Sequence, residues 1–122
     1  MKLNYRDIFV TIATDKVEIV VDFYRQILNL EPTVYKSPVY AEFQLEQLRI
    51  AIFKPKAENS SEFSNHSSSL SFCLEVEDLD SAIACMSDLG CTPPGQIITA
   101  SHGREIYGFD PAGNRLILHQ SN

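Results

Sequence analysis

Three histidines, His66, His102 and His119, are the side chains of this sequence best suited to bind a transition metal or to transfer a proton near neutral pH. They are scattered along the chain, so their spacing does not support combining them into one metal site. Glu42 and Glu46 could also bind a cation. Alternating charges on an outer strand are more often exposed to solvent, and we favour that interpretation for these two glutamates.

Cysteine and arginine are the other reactive or ligand-binding types. Cys73, Cys85 and Cys91 lie in or beside apolar segments, and no C-x-x-C spacing occurs. The odd number predicts reduced thiols in a cytosol, with no disulfide framework and no zinc site. No histidine is placed to activate Cys73, which favours a small packing residue. Arg104 could hold an anionic or planar ligand with its forked guanidinium; the alternative is a surface charge at the start of a strand.

Composition and charge exclude several classes of function. The 122 residues have a formal net charge of −6, and 44% of them are hydrophobic, which predicts one domain with a sizeable core. No stripe of Lys and Arg is present to bind a phosphate backbone. No apolar segment approaches the roughly 18 residues of a membrane span, and the start lacks a signal-peptide pattern. We therefore expect a cytoplasmic protein with no nucleic-acid partner and no membrane partner.

A β-hairpin near the C-terminus is the clearest element that could position such side chains. Two apolar segments flank residues 110–114, which read DPAGN. Pro111 fixes φ near the value that a turn requires, and Gly113 supplies a residue with positive φ. The second strand alternates, so Ile117 and His119 share one face. His119 either contributes to that face or is simply exposed at the strand end.

The order strand, helix and three strands is predicted twice. Apolar residues at helical spacing predict helices near residues 16–29 and 79–89. Alternating residues predict strands near residues 8–13, 33–36, 39–45 and 48–53, and again near 70–76, 97–99, 105–109 and 116–119. We predict an α+β fold of two βαβββ modules, about residues 4–56 and 69–121. Each helix covers one sheet face, which leaves a cupped, mixed and antiparallel sheet around a central cleft.

Residues 57–69, read as AENSSEFSNHSSS, separate the two modules. The segment is polar and rich in serine, and it lacks periodicity, which predicts a linker or a mobile flap. Phe63 and His66 are the side chains in it that a ligand could use. Its composition favours a solvated connector.

The DPAGN hairpin resembles the C-terminal signature of the vicinal oxygen chelate superfamily, which includes glyoxalase I, ring-cleaving dioxygenases and bleomycin-resistance proteins. Residues 22–30, DFYRQILNL, resemble the first-helix signature of the same superfamily. Asn29 stands where that signature has glycine, and asparagine adopts the left-handed conformation more readily than most residues. The resemblance covers essentially the whole chain. It implies the two-module fold and a homodimer.

The resemblance also implies where a metal would be held. In metal-dependent members, His, Glu or Gln side chains from the first and fourth strands of each module bind a transition metal. Strand alternation transfers these four positions to Phe9, Ala51, Ser71 and Ile117. None of the four is a good metal ligand, and a shift of one residue offers only apolar side chains. We therefore expect no metal and no cofactor at these positions.

The predicted cleft is mostly apolar with a few polar groups, which is typical of a small-molecule site. Its predicted ligand-binding residues are Phe9, Thr11, Ala51, Phe53, Ser71, Cys73, Arg104, Ile117 and His119. We favour a metal-independent protein that binds a planar or aromatic ligand, similar to the bleomycin-binding members, without catalytic residues. The alternative is an enzyme, a glyoxalase-like lyase or isomerase or a dioxygenase, with a relocated metal site. A third interpretation is a degenerate module that serves only in assembly.

Overall fold

The computed structural model describes residues 3–64 and 68–122. The chain divides after Ser64 into two compact units, and each unit contains one of the predicted modules. Both consist of a four-stranded mixed sheet and one α-helix, which confirms the predicted α+β fold with two βαβββ modules. His66 lies outside the described residues, so its suggested contact with a ligand stays a prediction.

Module 1 contains five elements. They are β1 (Val10–Ala13), α1 (Val17–Leu28), β2 (Val34–Lys36), β3 (Tyr40–Gln44) and β4 (Arg49–Phe53). The strand order is β1-β4-β3-β2, with β1 parallel to β4 and the other pairs antiparallel. Strand β1 begins at Val10, two residues later than predicted, because backbone pairing with β4 starts at Val10 and Ile50.

Helix α1 packs on one face of this sheet. Its apolar side includes Val17, Val20 and Tyr24, which are at most 2% exposed. The facing strand residues are aliphatic or aromatic and equally buried, and they include Ile52 from β4. Asn29 ends the helix in the left-handed conformation with φ of 50°, as predicted, and its backbone N–H donates to carbonyls of the last turn.

Module 2 repeats this arrangement. Its elements are β5 (Phe72–Glu75), α2 (Leu79–Asp88), β6 (Ile98–Ala100), β7 (Gly103–Phe109) and β8 (Arg115–Ser121). The strand order is β5-β8-β7-β6, again with one parallel pair, β5 and β8. Leu79 and Met86 of α2 are buried together with Leu116 and Leu118 of β8. Both predicted helices therefore exist, and each leaves one sheet face without a helix.

The two turns of module 2 fix the register of its sheet. Asp110, only 4% exposed, accepts hydrogen bonds from the backbone N–H of Ala112 and of Asn114, each at 2.9 Å. The predicted DPAGN turn is thus held by its own carboxylate, with Gly113 at φ 89°. At the β6–β7 turn, Gly103 has φ 145°, and an added Cβ would lie 2.2 Å from the carbonyl oxygen of Gln120. Only glycine fits there.

The segment after module 1 is more ordered than its composition predicts. Residues Ala57–Phe63 form a 3₁₀ helix, whereas the sequence predicted an aperiodic linker. A 3₁₀ helix closes with local bonds and buries no apolar side, so no periodicity reports it. The ring of Phe63 meets that of Phe53 edge to face, with centroids 5.4 Å apart. Among the described residues, no helix is long and apolar enough to span a membrane.

Candidate functional site

In each module we call the sheet face opposite the helix the uncovered face. On module 1 this face carries four of the predicted ligand-binding residues, Phe9, Thr11, Ala51 and Phe53. Thr11 and Ala51 are paired across β1 and β4. Phe53 lies two residues further along β4 on the same face. Phe9 precedes β1, and its ring lies under the guanidinium of Arg49, 4.1 Å from the ring centroid.

Arg49 makes a second contact on this face. Its Nη2 donates to Oδ2 of Asp7 at 2.6 Å, while its guanidinium covers one side of the Phe9 ring. This cation–π contact leaves Phe9 with 41% exposure and one ring face occupied. Sequence reasoning missed Arg49, because a single arginine in an otherwise apolar strand resembles an ordinary surface charge.

Polar and aromatic side chains meet elsewhere on the module 1 face. The hydroxyl of Tyr40 donates to the carboxylate of Glu42 at 2.6 Å, and this hydrogen bond is the largest cause that raises the pKa of Tyr40. Glu42 is half-buried and accepts this hydrogen bond, whereas its sequence context suggested a carboxylate exposed to solvent. Beside this face, Phe53 and Phe63 line an open groove of about 450 Å³ together with Lys54, Pro55 and Asn59.

On module 2, Cys73, Ile117 and Tyr107 form one row across β5, β8 and β7. Cys73 is exposed, in contrast to the packing role predicted for it. Partial burial, followed by the charges of Glu75 and Glu105, raises the pKa of the Cys73 thiol. The thiol is thus protonated near neutral pH and is a poor nucleophile.

Arg104 occupies the opposite face of the same sheet. Arg104 is paired with Gln120 across β7 and β8. The Oε1 atom of Gln120 accepts hydrogen bonds from Nη2 of Arg104 at 3.4 Å and from the backbone N–H of Leu79 at 2.7 Å. Leu79 is the first residue of α2, so Gln120 and Arg104 belong to the helix-covered face. The prediction that Arg104 shares a ligand-binding face with Ile117 and His119 is therefore wrong. Strand alternation from Gly103 turns Arg104 toward the helix.

His119 is 8% exposed and uses both ring nitrogens. Its Nδ1 contacts the carboxylate of Glu75, and its Nε2 lies 2.8 Å from Nδ1 of His102. The two imidazoles are stacked, with centroids 5.0 Å apart and planes at 29°. Ser121 donates to the second oxygen of Glu75 at 2.9 Å. This hydrogen bond and then the contact with His119 lower the pKa of Glu75, which keeps its carboxylate ionised.

Glu105 completes this group, because it is paired directly with His119 across β7 and β8. One ligand atom each of His102, Glu105 and His119 lie within 4.8 Å of one another. We call Glu75, His102, Glu105 and His119 the histidine cluster. The structure therefore brings together two histidines that their sequence separation had led us to treat as scattered.

A signal for this cluster was present in the sequence. Asp110 and Asn114 close the β7–β8 turn, and the strands pair outward from them. Five residues before Asp110 is Glu105, and five residues after Asn114 is His119, so the turn alone predicts their pairing. His102 required the two-residue β6–β7 turn as well, which the sequence analysis did not identify.

The four positions that the resemblance assigns to metal ligands do not fit a metal ion. Ala51 is 1% exposed and carries no donor atom, and Ile117 is aliphatic. The hydroxyl of Ser71 already accepts from Nε of Arg115 at 2.8 Å. Phe9 lies under Arg49. These four side chains therefore do not form a ligand set for a metal ion.

Solved structures with the same fold include enzymes and resistance proteins. A glyoxalase/bleomycin resistance protein from Catenulispora acidiphila is 24% identical, covering 95% of this chain and 98% of its own, with a TM-score of 0.65. An E126Q mutant of the fosfomycin resistance protein FosX from Listeria monocytogenes, solved with Mn(II) and a dihydroxypropylphosphonic acid, is 18% identical over 93% and 88%, with a TM-score of 0.72. Lactoylglutathione lyase from Agrobacterium tumefaciens is 19% identical over 97% and 96%, with a TM-score of 0.65.

These structural likenesses show the fold, and the sequence itself shows the family. No curated protein matches the chain significantly. The sequence profile of the Glyoxalase/Bleomycin resistance protein/Dioxygenase superfamily matches residues 8–118, nearly the whole chain. The resemblance carried by the DPAGN hairpin and the first helix is therefore confirmed, and the chain belongs to the glyoxalase/bleomycin resistance protein/dioxygenase superfamily.

Proposed function

We propose that this protein binds a small planar or aromatic ligand with residues of its uncovered faces and without a metal at the four family positions. The observation that carries this proposal is the chemistry of those positions. Phe9 and Ile117 offer apolar surface, Ala51 is buried, and the hydroxyl of Ser71 is occupied by Arg115. Such surfaces favour an uncharged, flat ligand over a metal-bound oxygen ligand.

The supply of accessible aromatic side chains supports the same ligand class. Phe9, Tyr107 and Phe109 are each about two-fifths exposed on the uncovered faces, at 41%, 42% and 39%. Aromatic rings offer flat contact area at low entropic cost, and each stacked ring is worth about 0.5–1.5 kcal/mol. The residues proposed to contact the ligand are Phe9, Thr11, Phe53, Ser71, Cys73, Ile117 and His119, together with Tyr107, which is paired with Ile117. Ala51 is removed from the predicted set because it is only 1% exposed. Arg104 is removed from the set because it lies on the covered face.

The proposal extends to assembly and location. Leu3 and Ile8 are more than four-fifths exposed, and apolar surface near an N-terminus favours a homodimer that covers it. A concentration-independent monomer mass in light scattering would contradict the dimer.

Cys73, Cys85 and Cys91 are all unpaired, which suits a reducing cytoplasm.

A thermal-shift screen in EDTA tests the ligand. The probes are uncharged planar aromatic compounds, and we expect at least one to stabilise the protein equally with and without the chelator. Tyr107→Ala should weaken the binding of that compound by about 2–10-fold, because one aromatic contact is lost. Tyr35→Ala is the matched control, because Tyr35 is 39% exposed but pairs with Ala41 on the covered face of module 1. Equal losses in both variants would contradict a site on the uncovered face.

A second candidate function is an enzyme of the glyoxalase or dioxygenase type with a relocated metal. One observation favours it, the convergence of His102, Glu105 and His119 within 4.8 Å. Two imidazoles and a carboxylate are a set of ligands that catalytic metals use. The same screen separates the two candidates, because a ligand that binds only in the absence of EDTA would support the enzyme.

A further inference from the structure

We infer that His102, Glu105 and His119 form a binding site for a divalent transition-metal ion such as Zn²⁺. The site differs from the four family positions, which carry no suitable ligands. Metal binding here does not require the ligand proposed above, so the two proposals can fail separately.

One strand pairing and one turn place the ligand atoms together. The pairing of Glu105 with His119 puts a carboxylate beside an imidazole on the uncovered face of module 2. The β6–β7 turn then places His102 over His119, and this turn requires the φ of 145° that Gly103 adopts. Because the backbone fixes all three residues, little chain ordering is left to oppose metal binding.

The atoms have the type and spacing that a transition metal needs. Imidazole nitrogen is a borderline ligand that suits Zn²⁺, Ni²⁺ and Co²⁺ better than Mg²⁺ or Ca²⁺, and a carboxylate oxygen commonly completes such sites. Two nitrogens bound at about 2.0–2.1 Å in a tetrahedron lie about 3.3 Å apart. Nδ1 of His102 and Nε2 of His119 are 2.8 Å apart. His102 is exposed in a turn, so it can move outward by the remaining distance.

Glu75 prepares His119 for this role. Its carboxylate contacts Nδ1 of His119 and is itself held by the hydroxyl of Ser121. The proton of a neutral His119 is therefore assigned to Nδ1, which leaves the lone pair of Nε2 directed at His102. A carboxylate bound to the far nitrogen of a metal-binding histidine is a recurrent feature of zinc sites. In the absence of metal, Nδ1–H of His102 donates to this lone pair.

Metal binding then requires only a change of tautomer. The ion takes the place of the proton between the two rings, and His102 keeps one proton on its Nε2. Glu105 supplies the third ligand and a negative charge. Three protein ligands leave a coordination position open toward solvent, as in catalytic zinc sites, and the burial of His119 limits access from the other side.

The proposed site lies next to Ile117, the family metal-ligand position on β8. His119 is two residues after Ile117 on β8, on the same face, which is about 6.6 Å in an extended strand. The equivalent shift on β7 reaches Glu105, which pairs with His119 as Tyr107 pairs with Ile117. All three ligands come from module 2, so this site requires no residue of module 1.

Calorimetric titration of the chelator-treated full chain with Zn²⁺ tests the site. The free thiols, of which those of Cys73 and Cys85 are exposed, are competing ligands, so the titration uses a background with Cys73→Ser, Cys85→Ser and Cys91→Ser. We expect one Zn²⁺ per chain, and Co²⁺ in its place should give the visible absorption of a low-symmetry nitrogen and oxygen site. Glu75→Gln should retain this stoichiometry and weaken affinity by about 10–100-fold, the usual effect of removing the carboxylate behind a ligating histidine.

Variants of the ligands and one matched control decide the assignment. His102→Ala and Glu105→Gln should each weaken Zn²⁺ binding at least as much as Glu75→Gln, and both residues are accessible enough to change without unfolding the module. Glu42→Gln is the control, because Glu42 is a half-buried carboxylate on the uncovered face of module 1. Its affinity should equal that of the background protein. Circular dichroism checks that each variant is folded.

Two results would overturn the inference. One is a folded background protein that binds no Zn²⁺ in the titration. The other is equal affinity in Glu105→Gln and Glu42→Gln, which would place the ion elsewhere. The proposed ligand is measured in EDTA, so neither result bears on it.

Discussion

One row of side chains on the uncovered face can be compared position by position between the modules, because the two sheets have the same strand order. The row begins two residues beyond Ala51 on β4 and two beyond Ile117 on β8. In module 1 it consists of Ala13, Phe53 and Tyr40. In module 2 it consists of Glu75, His119 and Glu105. The same backbone positions thus carry an alanine and two aromatic rings in one module and two carboxylates and an imidazole in the other.

The covered faces differ much less. Ile12 and Ile52 in module 1 and Leu116 and Leu118 in module 2 are all at most 5% exposed. These residues fill the space beneath a helix, where a change of volume or polarity costs several kcal/mol. The uncovered faces are less constrained, because several of their side chains, such as Phe9, Cys73 and Tyr107, are exposed. The comparison indicates that the fold is maintained by one face of each sheet, while the other is free to acquire a function.

The largest expected effect comes from Gly103, whose conformation places His102 in the histidine cluster. Gly103→Ala should destabilise the protein by about 2–4 kcal/mol, because the new Cβ would collide with the Gln120 carbonyl and φ is 145°. Urea unfolding measures this loss. Gly95→Ala is the control, since nothing lies within 4 Å of its added Cβ. Equal midpoints for the two variants would show that the turn can relax and that the cluster is not held by it.

Ile117 tests whether an ionisable residue is tolerated one row away from the cluster. Ile117→Glu should lower the free energy of unfolding by about 1–3 kcal/mol, because a half-buried carboxylate would lack a partner in the row of Cys73 and Tyr107. Ile19→Glu on the exposed side of α1, where the residue is 57% exposed, should change stability little. A stable Ile117→Glu protein that gains affinity for Zn²⁺ would instead show that the family position still accepts a metal ligand.

Local signals made most of the fold predictable. The DPAGN turn is specified by Asp110, Pro111 and Gly113 within five residues, and both helices by their apolar periodicity. Asn29 was interpreted correctly for the same reason, because a helix end depends on one residue. Such features need no knowledge of what lies elsewhere in the chain.

The site was less predictable, because it depends on where strands begin. Strand β7 starts at Gly103, two residues before the predicted start, so Arg104 lies within the strand, and alternation from Glu105 turns it toward the helix. His102 and His119 are 17 residues apart, and only the combination of two turns brings their rings together. Because successive side chains of a strand point to opposite faces, an error of one residue in the predicted pairing assigns each site residue to the wrong face.

The substitution Arg49→Leu tests the uncovered face of module 1, because it removes the guanidinium that lies over the ring of Phe9. Arg49→Leu should cost about 1 kcal/mol, the sum of a partly exposed cation–π contact and a weak ion pair with Asp7. Arg25→Leu is the control, because Arg25 is similarly exposed, at 32% against 28%, and in the described part of the chain it forms ion pairs with Asp22 and Glu31. A double-mutant cycle with Phe9→Ala isolates the ring contact. A coupling energy near zero would mean that Phe9 is free to meet a ligand on both ring faces.

The smallest expected effect is the acid dependence that Glu75 gives to module 2. Its pKa is lowered below the ordinary value of 4.5, first by the hydrogen bond from Ser121 and then by that from His119. A carboxyl whose pKa is lower in the folded state stabilises the protein above its unfolded pKa, and this contribution is lost as pH falls through the folded pKa. Thermal unfolding between pH 7 and pH 3 should therefore show a steeper loss of stability in the wild type than in Glu75→Gln.

Asp78 must be separated from this effect, because the hydrogen bond from Ser81 also lowers its pKa at the start of α2. Ser81→Ala removes that bond and leaves the histidine cluster intact, so it reduces the Asp78 contribution alone. The pH profile of Ser81→Ala should still differ from that of the double variant Ser81→Ala with Glu75→Gln. If the two profiles coincide, Glu75 is not held by Ser121 and His119 in solution, and the row of Glu75, His119 and Glu105 would stabilise the fold no more than the row of Ala13, Phe53 and Tyr40.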